Sequence, residues 1–125
     1  MIVMKFGGTS VADAERLKNV ARIVNIQKEE RGTPVVVLSA MSGVTNMLID
    51  GGQKAKERKL EEALAIVEEI REKHINAIDE LFESEETKGA LRDHMKKNLH
   101  ELEVLYKGVS YLGELTRRSL DMISS

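Results

Sequence analysis

The sequence predicts an α/β fold that opens with a strand–helix–strand unit and continues as a long helical hairpin. Two short runs of apolar, largely β-branched residues, 2–6 and 35–38, are separated by an amphipathic segment. This order is typical of a βαβ unit, in which the two strands are parallel. Farther along the chain, apolar residues recur at helical spacing. We therefore place a βαβ unit in residues 1–45 and a mostly helical part in residues 46–125.

The first strand and the first helix have clear boundaries. Residues 2–6 are almost all apolar, as expected of a central strand that is covered on both faces. The helix is expected over residues 13–30, because Asp13 suits the cap of its first turn and Gly32 and Pro34 end it. Its apolar face is formed by Leu17, Val20, Ala21 and Val24.

The second strand, residues 35–38, reads VVVL and is also expected to be buried on both faces. Ligands of parallel α/β sheets bind beyond the carboxyl ends of the strands. The loops that follow the two strands, at residues 7–11 and 39–45, should therefore lie side by side at one edge of the sheet. Both loops are rich in glycine and in hydroxyl side chains.

The first of these loops has the chemistry of a phosphate site. Lys5 brings a positive charge, and at Gly7 and Gly8 the backbone can approach a ligand closely. The N–H groups that open the next helix also favour an anion. Taken alone, the Lys-x-Gly-Gly string is a weak signal that favours a plain strand-to-helix turn. The second loop, taken alone, is compatible with a hydroxyl cap for the helix after it.

Three more helices are predicted after the second strand, over residues 46–57, 60–82 and 84–107. Ser84 suits the cap of the third of them. The second and third should pack as an antiparallel hairpin. Their apolar stripes contain Leu60, Ala63, Leu64, Val67, Ile70, His74, Ala77, Ile78 and Leu81 on one helix and Leu91, Met95, Leu99, Leu102, Leu105 and Tyr106 on the other.

Glycines suggest where these helices are interrupted or end. The Gly51-Gly52 pair is a candidate break in the helix of residues 46–57. Gly108 is expected to end the hairpin's second helix. A short piece over residues 109–115 and a last helix from about Thr116 would then follow.

Composition narrows the classes of function. The chain has 125 residues and a net charge of -2, which disfavours nucleic acid or an anionic membrane as a partner. It has no cysteine, which excludes disulfides and thiolate metal sites and is compatible with a reducing cytoplasm. No apolar run is long enough to span a membrane, and Lys5 interrupts the first apolar run too early for a signal peptide. The histidines, His74, His94 and His100, lack metal-ligand spacing, so we expect no metal site.

Two strings carry a resemblance to a known family. Residues 5–11 read KFGGTSV, and residues 35–46 read VVVLSAMSGVTN. Both closely resemble signatures of the aspartate kinases, which belong to the amino-acid kinase family, and they occur in that family's order and separation. The resemblance implies an α/β/α sandwich around a largely parallel sheet. Residues 1–125 would be an incomplete, amino-terminal portion of that catalytic domain.

The resemblance also implies a reaction and a site. Aspartate kinases use ATP and Mg²⁺ to phosphorylate the side-chain carboxylate of L-aspartate, which gives 4-phospho-L-aspartate and leads to lysine, threonine and methionine. Lys5 would stabilise charge on the transferring phosphoryl group. The implied site consists of Lys5, Gly7, Gly8, Thr9 and Ser10 at the ATP phosphates and Ser39, Ala40 and Thr45 at the aspartate.

Family members continue with a Gly-Glu element, an Asp-rich catalytic segment and an adenine-binding half. The portion in residues 1–125 is therefore expected to be inactive alone. Because a two-stranded sheet has open edges, we expect a homo-oligomer or completion by the rest of the kinase domain. Two other hypotheses remain: a different amino-acid kinase, acting on glutamate, acetylglutamate, carbamate or UMP, and a non-catalytic helical interaction module.

Overall fold

The computed structural model describes the backbone of residues 1–124 and the side chains of residues 1–114. The elements of this part of the chain, in order, are β1 Val3–Phe6, α1 Ala14–Arg31, β2 Val35–Leu38, α2 Val44–Lys56, α3 Leu60–Leu81 and α4 Glu85–Ser124. None of these helices is long and apolar enough to cross a lipid bilayer.

The two strands form a parallel sheet, as the sequence predicts. Val3 pairs with Val35, and Phe6 pairs with Leu38. The strand–helix–strand order with parallel pairing confirms the predicted βαβ unit. Both carboxyl ends consequently lie at the same edge of the sheet.

The boundaries of α1 follow from its capping residues. The Asp13 side chain accepts a hydrogen bond from the Arg16 backbone N–H at 2.9 Å, which satisfies one free donor of the first turn. At the other end Gly32 has a φ of 96°, and its N–H donates to the Lys28 carbonyl. Glycine adopts that φ without steric cost. The predicted cap and stop of this helix are both confirmed.

The strands are more exposed than the sequence predicts. The side chains of Val35–Leu38 are 36–52% exposed, and Val3 is 62% exposed. The prediction that both faces of both strands are buried is therefore wrong for the described chain. Apolar residue types show that a strand is suited to burial. The strand is buried only where another element packs over it. In this chain α1 makes its main contacts with α3 instead of with the sheet.

The hydrophobic core lies among α2, α3 and α4. Asp79 forms an ion pair with Arg92 near the α3–α4 turn, and Arg71 forms one with Glu103 farther away. The earlier residue of α3 pairs with the later residue of α4, which confirms the predicted antiparallel hairpin. The buried core consists of Ala55, Ala63, Val67, Ile70, Met95, Leu99 and Tyr106.

Gly51-Gly52 and Gly108 do not interrupt the helices, contrary to the prediction. Helix α2 continues through Gly51-Gly52, and α4 continues through Gly108 to Ser124. The predicted stop at Gly108, the separate piece over 109–115 and the new helix from Thr116 are wrong. A glycine ends a helix when it turns to positive φ, which Gly108 does not do. The predicted Ser84 cap is confirmed, because its hydroxyl accepts from the Thr87 N–H at 3.4 Å.

Candidate functional site

The two loops named by the sequence meet at the carboxyl edge of the sheet. Lys5 pairs with Val37 in the ladder. Immediately beyond the ladder, the Ser39 N–H donates to the Phe6 carbonyl at 3.1 Å. This hydrogen bond joins the first residue of the second loop to the last residue of β1. The parallel sheet thus brings together two loops that are more than thirty residues apart in sequence.

The first loop is a pair of overlapping turns anchored by one buried side chain. The Ser10 N–H donates to the Gly7 carbonyl at 3.1 Å, and the Val11 N–H donates to the Gly8 carbonyl at 3.3 Å. Val11 is 1% exposed and anchors the loop. A Cβ on Gly8 would lie 3.6 Å from the Ala40 carbonyl oxygen, so the two loops are in contact. At Gly7 nothing lies within 4 Å of the corresponding position, which leaves room for a ligand.

Lys5 is an exposed cation at this edge. It takes part in none of the ion pairs found among the described side chains. Thr9 and Ser10 are also exposed. The ammonium group is therefore available to an incoming anion, beside a loop with open space at Gly7.

The second loop leads into a helix whose first turn has no side-chain cap. Gly43 stands at the cap position with a φ of 84°, in the left-handed region that favours glycine. The Val44 N–H donates to the Met41 carbonyl and the Met47 N–H donates to the Gly43 carbonyl, so backbone groups close this turn. None of the hydroxyl groups in the loop caps α2, so the interpretation of this loop as a Ser/Thr cap is wrong.

The first turns of α1 and α2 differ in whether a carboxylate already occupies them. The α1 turn already holds the Asp13 carboxylate, 3.5 Å from the Arg16 guanidinium. The α2 turn carries no such group, and its first turn contains no acidic residue. Free N–H groups and the helix dipole favour a negative charge there. Thr45 lies in this turn, while Ser39 and Ala40 are exposed in the loop before it.

A cavity of about 280 Å³ adjoins the first loop, between it and α1. Thr9, Ser10 and Arg16 are among its lining residues. Arg16 is a second cation near the phosphate-site candidate that the sequence analysis missed. Its position three residues after the Asp13 cap is a signal that could have found it, because that spacing places it in the first turn.

A smaller cavity, of about 170 Å³, lies where the amino end of α1 and the second loop approach α3. Asp13 lines it at the α1 cap, Met41 lines it from the second loop, and Lys73 and Asn76 line it from α3. The sequence analysis did not include Lys73 or Asn76. No local pattern marks them, because only the packing of α3 against α1 brings them to the loops.

The chain combines a parallel sheet, two glycine-containing loops at its carboxyl edge and a helical hairpin. The model of the amino acid kinase family matches residues 1–118 of the chain. The chain belongs to the amino acid kinase family.

Within this family the similarity is to aspartokinases. The chain is 40% identical to "Aspartokinase 2, chloroplastic" of Arabidopsis thaliana over 125 residues, which cover 98% of this chain and 21% of that protein. It is 42% identical to "Aspartokinase 1, chloroplastic" of the same plant over 125 residues, or 98% of this chain and 20% of that protein. The chain thus spans about a fifth of the length of these relatives.

A solved structure shows the same similarity. The crystal structure of E. coli aspartokinase III in complex with lysine and aspartate matches with a TM-score of 0.71 and 26% sequence identity. The match covers 88% of this chain and 22% of that one. The predicted fold class and the resemblance to aspartokinases are confirmed.

Proposed function

We propose that this chain is the amino-terminal part of an aspartokinase, which transfers the γ-phosphoryl group of ATP to the side-chain carboxylate of L-aspartate. The observation that carries the proposal is the hydrogen bond from the Ser39 N–H to the Phe6 carbonyl at 3.1 Å. This hydrogen bond holds the first loop against the second loop, which leads to Thr45. The identity with plant aspartokinases over 98% of the chain supports aspartate as the acceptor.

The first loop would bind the phosphate chain of ATP. Lys5 would stabilise charge on the oxygens of the transferring group, and the N–H groups of Gly7 and Gly8 would donate to the same oxygens. Thr9 and Ser10 would support the loop or contact the phosphates. Positioning and charge stabilisation do most of the catalysis in phosphoryl transfer, so this set suits the reaction.

The second loop would bind the acceptor. Ser39 and Ala40 would line the cleft, and the Thr45 hydroxyl together with the uncapped turn of α2 would bind aspartate. An oxygen of the aspartate side chain attacks the γ-phosphorus while the bond from that phosphorus to the bridging oxygen of ADP breaks. The carboxylate is already ionised at neutral pH, so the step requires no general base.

Magnesium would enter with ATP. The described residues contain no group of three or more His, Asp or Glu side chains that could hold a metal ion. Asp13, the carboxylate nearest the first loop in sequence, caps α1 and pairs with Arg16. We therefore assign no Mg²⁺ ligand within this part of the chain and derive no step from the ion.

We also propose that residues 1–125 do not catalyse the reaction alone. The Arabidopsis aspartokinases 1 and 2 that the chain matches are about five times as long. The exposed valines of β1 and β2 support coverage of the sheet faces by the rest of the kinase domain or by a second copy. The open edges of a two-stranded sheet allow further strands to pair with it. The cytoplasmic location stays a prediction, and the Arabidopsis relatives are chloroplastic by name.

Titration calorimetry with the full-length protein tests this proposal against the two other hypotheses. Binding of Mg²⁺–ATP and of aspartate supports it. Preference for glutamate, acetylglutamate, carbamate or UMP over aspartate would indicate another amino-acid kinase. A well-folded helical protein that binds none of these ligands would favour the interaction module.

Replacing Thr45 with valine in the full-length protein should raise the KM for aspartate about tenfold and leave the KM for ATP unchanged. The substitution keeps the shape of the side chain and removes the hydroxyl, and one lost hydrogen bond to a charged ligand has about this effect. Steady-state kinetics with each substrate varied in turn measure it. Thr33→Val is the matched control, because Thr33 precedes β2 at the opposite edge of the sheet. An effect confined to ATP would contradict the assignment.

A further inference from the structure

Tyr106 of α4 is a buried aromatic residue that makes a long-range hydrogen bond to the helix behind the second loop. Its hydroxyl donates to the Leu48 carbonyl in α2 at 2.7 Å. The side chain is only 5% exposed. Burial raises the pKa of Tyr106, and the negative charge of Asp50 adds to this effect, so the hydroxyl keeps its proton at neutral pH.

The Gly51-Gly52 pair forms the surface on which this ring packs. A Cβ on Gly51 would lie 2.6 Å from the Tyr106 hydroxyl oxygen and 2.7 Å from Cε2. A Cβ on Gly52 would lie 4.0 Å from Cε1 on the ring's other edge. Gly51 has an ordinary helical backbone, so glycine matters at this position because it leaves space for the ring and not because of its φ. The ring can occupy this place only because α2 has no side chain at position 51.

This contact lies close to the proposed aspartate site. Leu48 lies three residues beyond Thr45 in α2, a little less than one helical turn and about 4.5 Å along the axis at 1.5 Å per residue. Backbone hydrogen bonds from Val44 and Met47 close the first turn of α2, and no side chain of the loop caps it. A rotation of α2 about its axis would redirect the Thr45 hydroxyl and the free N–H groups beside it. The Tyr106 ring and its hydrogen bond oppose that rotation.

We propose that Tyr106 is a positioning residue for aspartate: through Leu48 and Gly51 it sets the orientation of α2 and thereby aims Thr45 at the acceptor. This inference depends on the proposed function, since it assigns Tyr106 a role at the same aspartate site. Tyr106 itself does not touch either substrate.

The test is Tyr106→Phe in the full-length protein, which removes the hydroxyl and keeps the ring. We expect the KM for aspartate to rise about three- to tenfold, the scale of one hydrogen bond, with kcat and the KM for ATP unchanged. A merely structural role would instead lower the amount of active enzyme and leave the KM for aspartate unchanged. Tyr111→Phe is the matched control, because Tyr111 lies on the same helix and is 59% exposed.

A double-mutant cycle tests whether Tyr106 acts through Thr45. If it does, Tyr106→Phe should have a smaller effect on the aspartate KM in the Thr45→Val background than in the wild type. Additive effects would overturn the inference. A normal KM in Tyr106→Phe beside a raised KM in Thr45→Val would overturn the inference alone. A normal KM in Thr45→Val would overturn the proposed aspartate site and this inference with it.

Discussion

Replacing Lys5 with alanine in the full-length protein should lower kcat about 10²–10³-fold, the effect of losing one preorganised charge at a reacting group. The KM for ATP should stay close to that of the wild type, because the charge on the transferred oxygens matters most in the transition state. The side chain is exposed, so the fold should be unaffected. Steady-state kinetics and a thermal unfolding curve measure both expectations.

Lys28→Ala is the control for this experiment. Lys28 is an exposed lysine in the last turn of α1, whereas the loops lie beyond the carboxyl ends of the strands. Its kcat should equal that of the wild type. A Lys5→Ala enzyme with normal kcat would remove Lys5 from the proposed site, and a change in the KM for ATP alone would make Lys5 a ground-state binding residue.

Replacing Gly51 with alanine should destabilise the protein by up to about 2 kcal/mol, because overpacking of a filled core costs about 1–3 kcal/mol and the gain in helix propensity returns about 1 kcal/mol. The added Cβ would lie 2.6 Å from the Tyr106 hydroxyl oxygen. Relief requires the ring to leave its place, which breaks its hydrogen bond to Leu48. Urea unfolding followed by circular dichroism measures the difference.

Gly89→Ala gives the opposite sign and serves as the control. Gly89 lies in α4, and a Cβ there would meet nothing within 4 Å. Only the helix-propensity gain applies, so this variant should be more stable than the wild type by about 0.5–1 kcal/mol. Equal stabilisation by the two alanines would show that Tyr106 does not pack against Gly51.

Local chemistry made much of the fold predictable. The caps at Asp13 and Ser84 and the stop at Gly32 are decided by a few neighbouring atoms, and the sequence analysis found all three. Gly108 was misjudged because it keeps a helical φ, and the Gly51-Gly52 pair was misjudged because a distant residue decides its role. The latter accommodates a ring 55 positions later in the chain, which no local pattern records. Exposure of the strands also depends on tertiary packing, which their composition cannot show.

The candidate site was predictable where it depends on topology. Parallel strands put their following loops at one edge, and the hydrogen bond between Ser39 and Phe6 confirms that both loops meet there. Side chains that reach the loops from elsewhere were missed, as Lys73 on α3 illustrates. The roles of the individual loop residues stay predictions, which the variants above test.

Acyl phosphate formation by the full-length protein is the direct test of the proposed aspartokinase activity. The protein is incubated with Mg²⁺–ATP, one candidate acceptor and hydroxylamine, which converts an acyl phosphate into a stable hydroxamate. We expect ATP-dependent aspartyl hydroxamate, its loss in Lys5→Ala and an increased aspartate requirement in Thr45→Val. Hydroxamate formed equally well by Lys5→Ala, or ATP turnover that depends on another acceptor and not on aspartate, would contradict the proposed function.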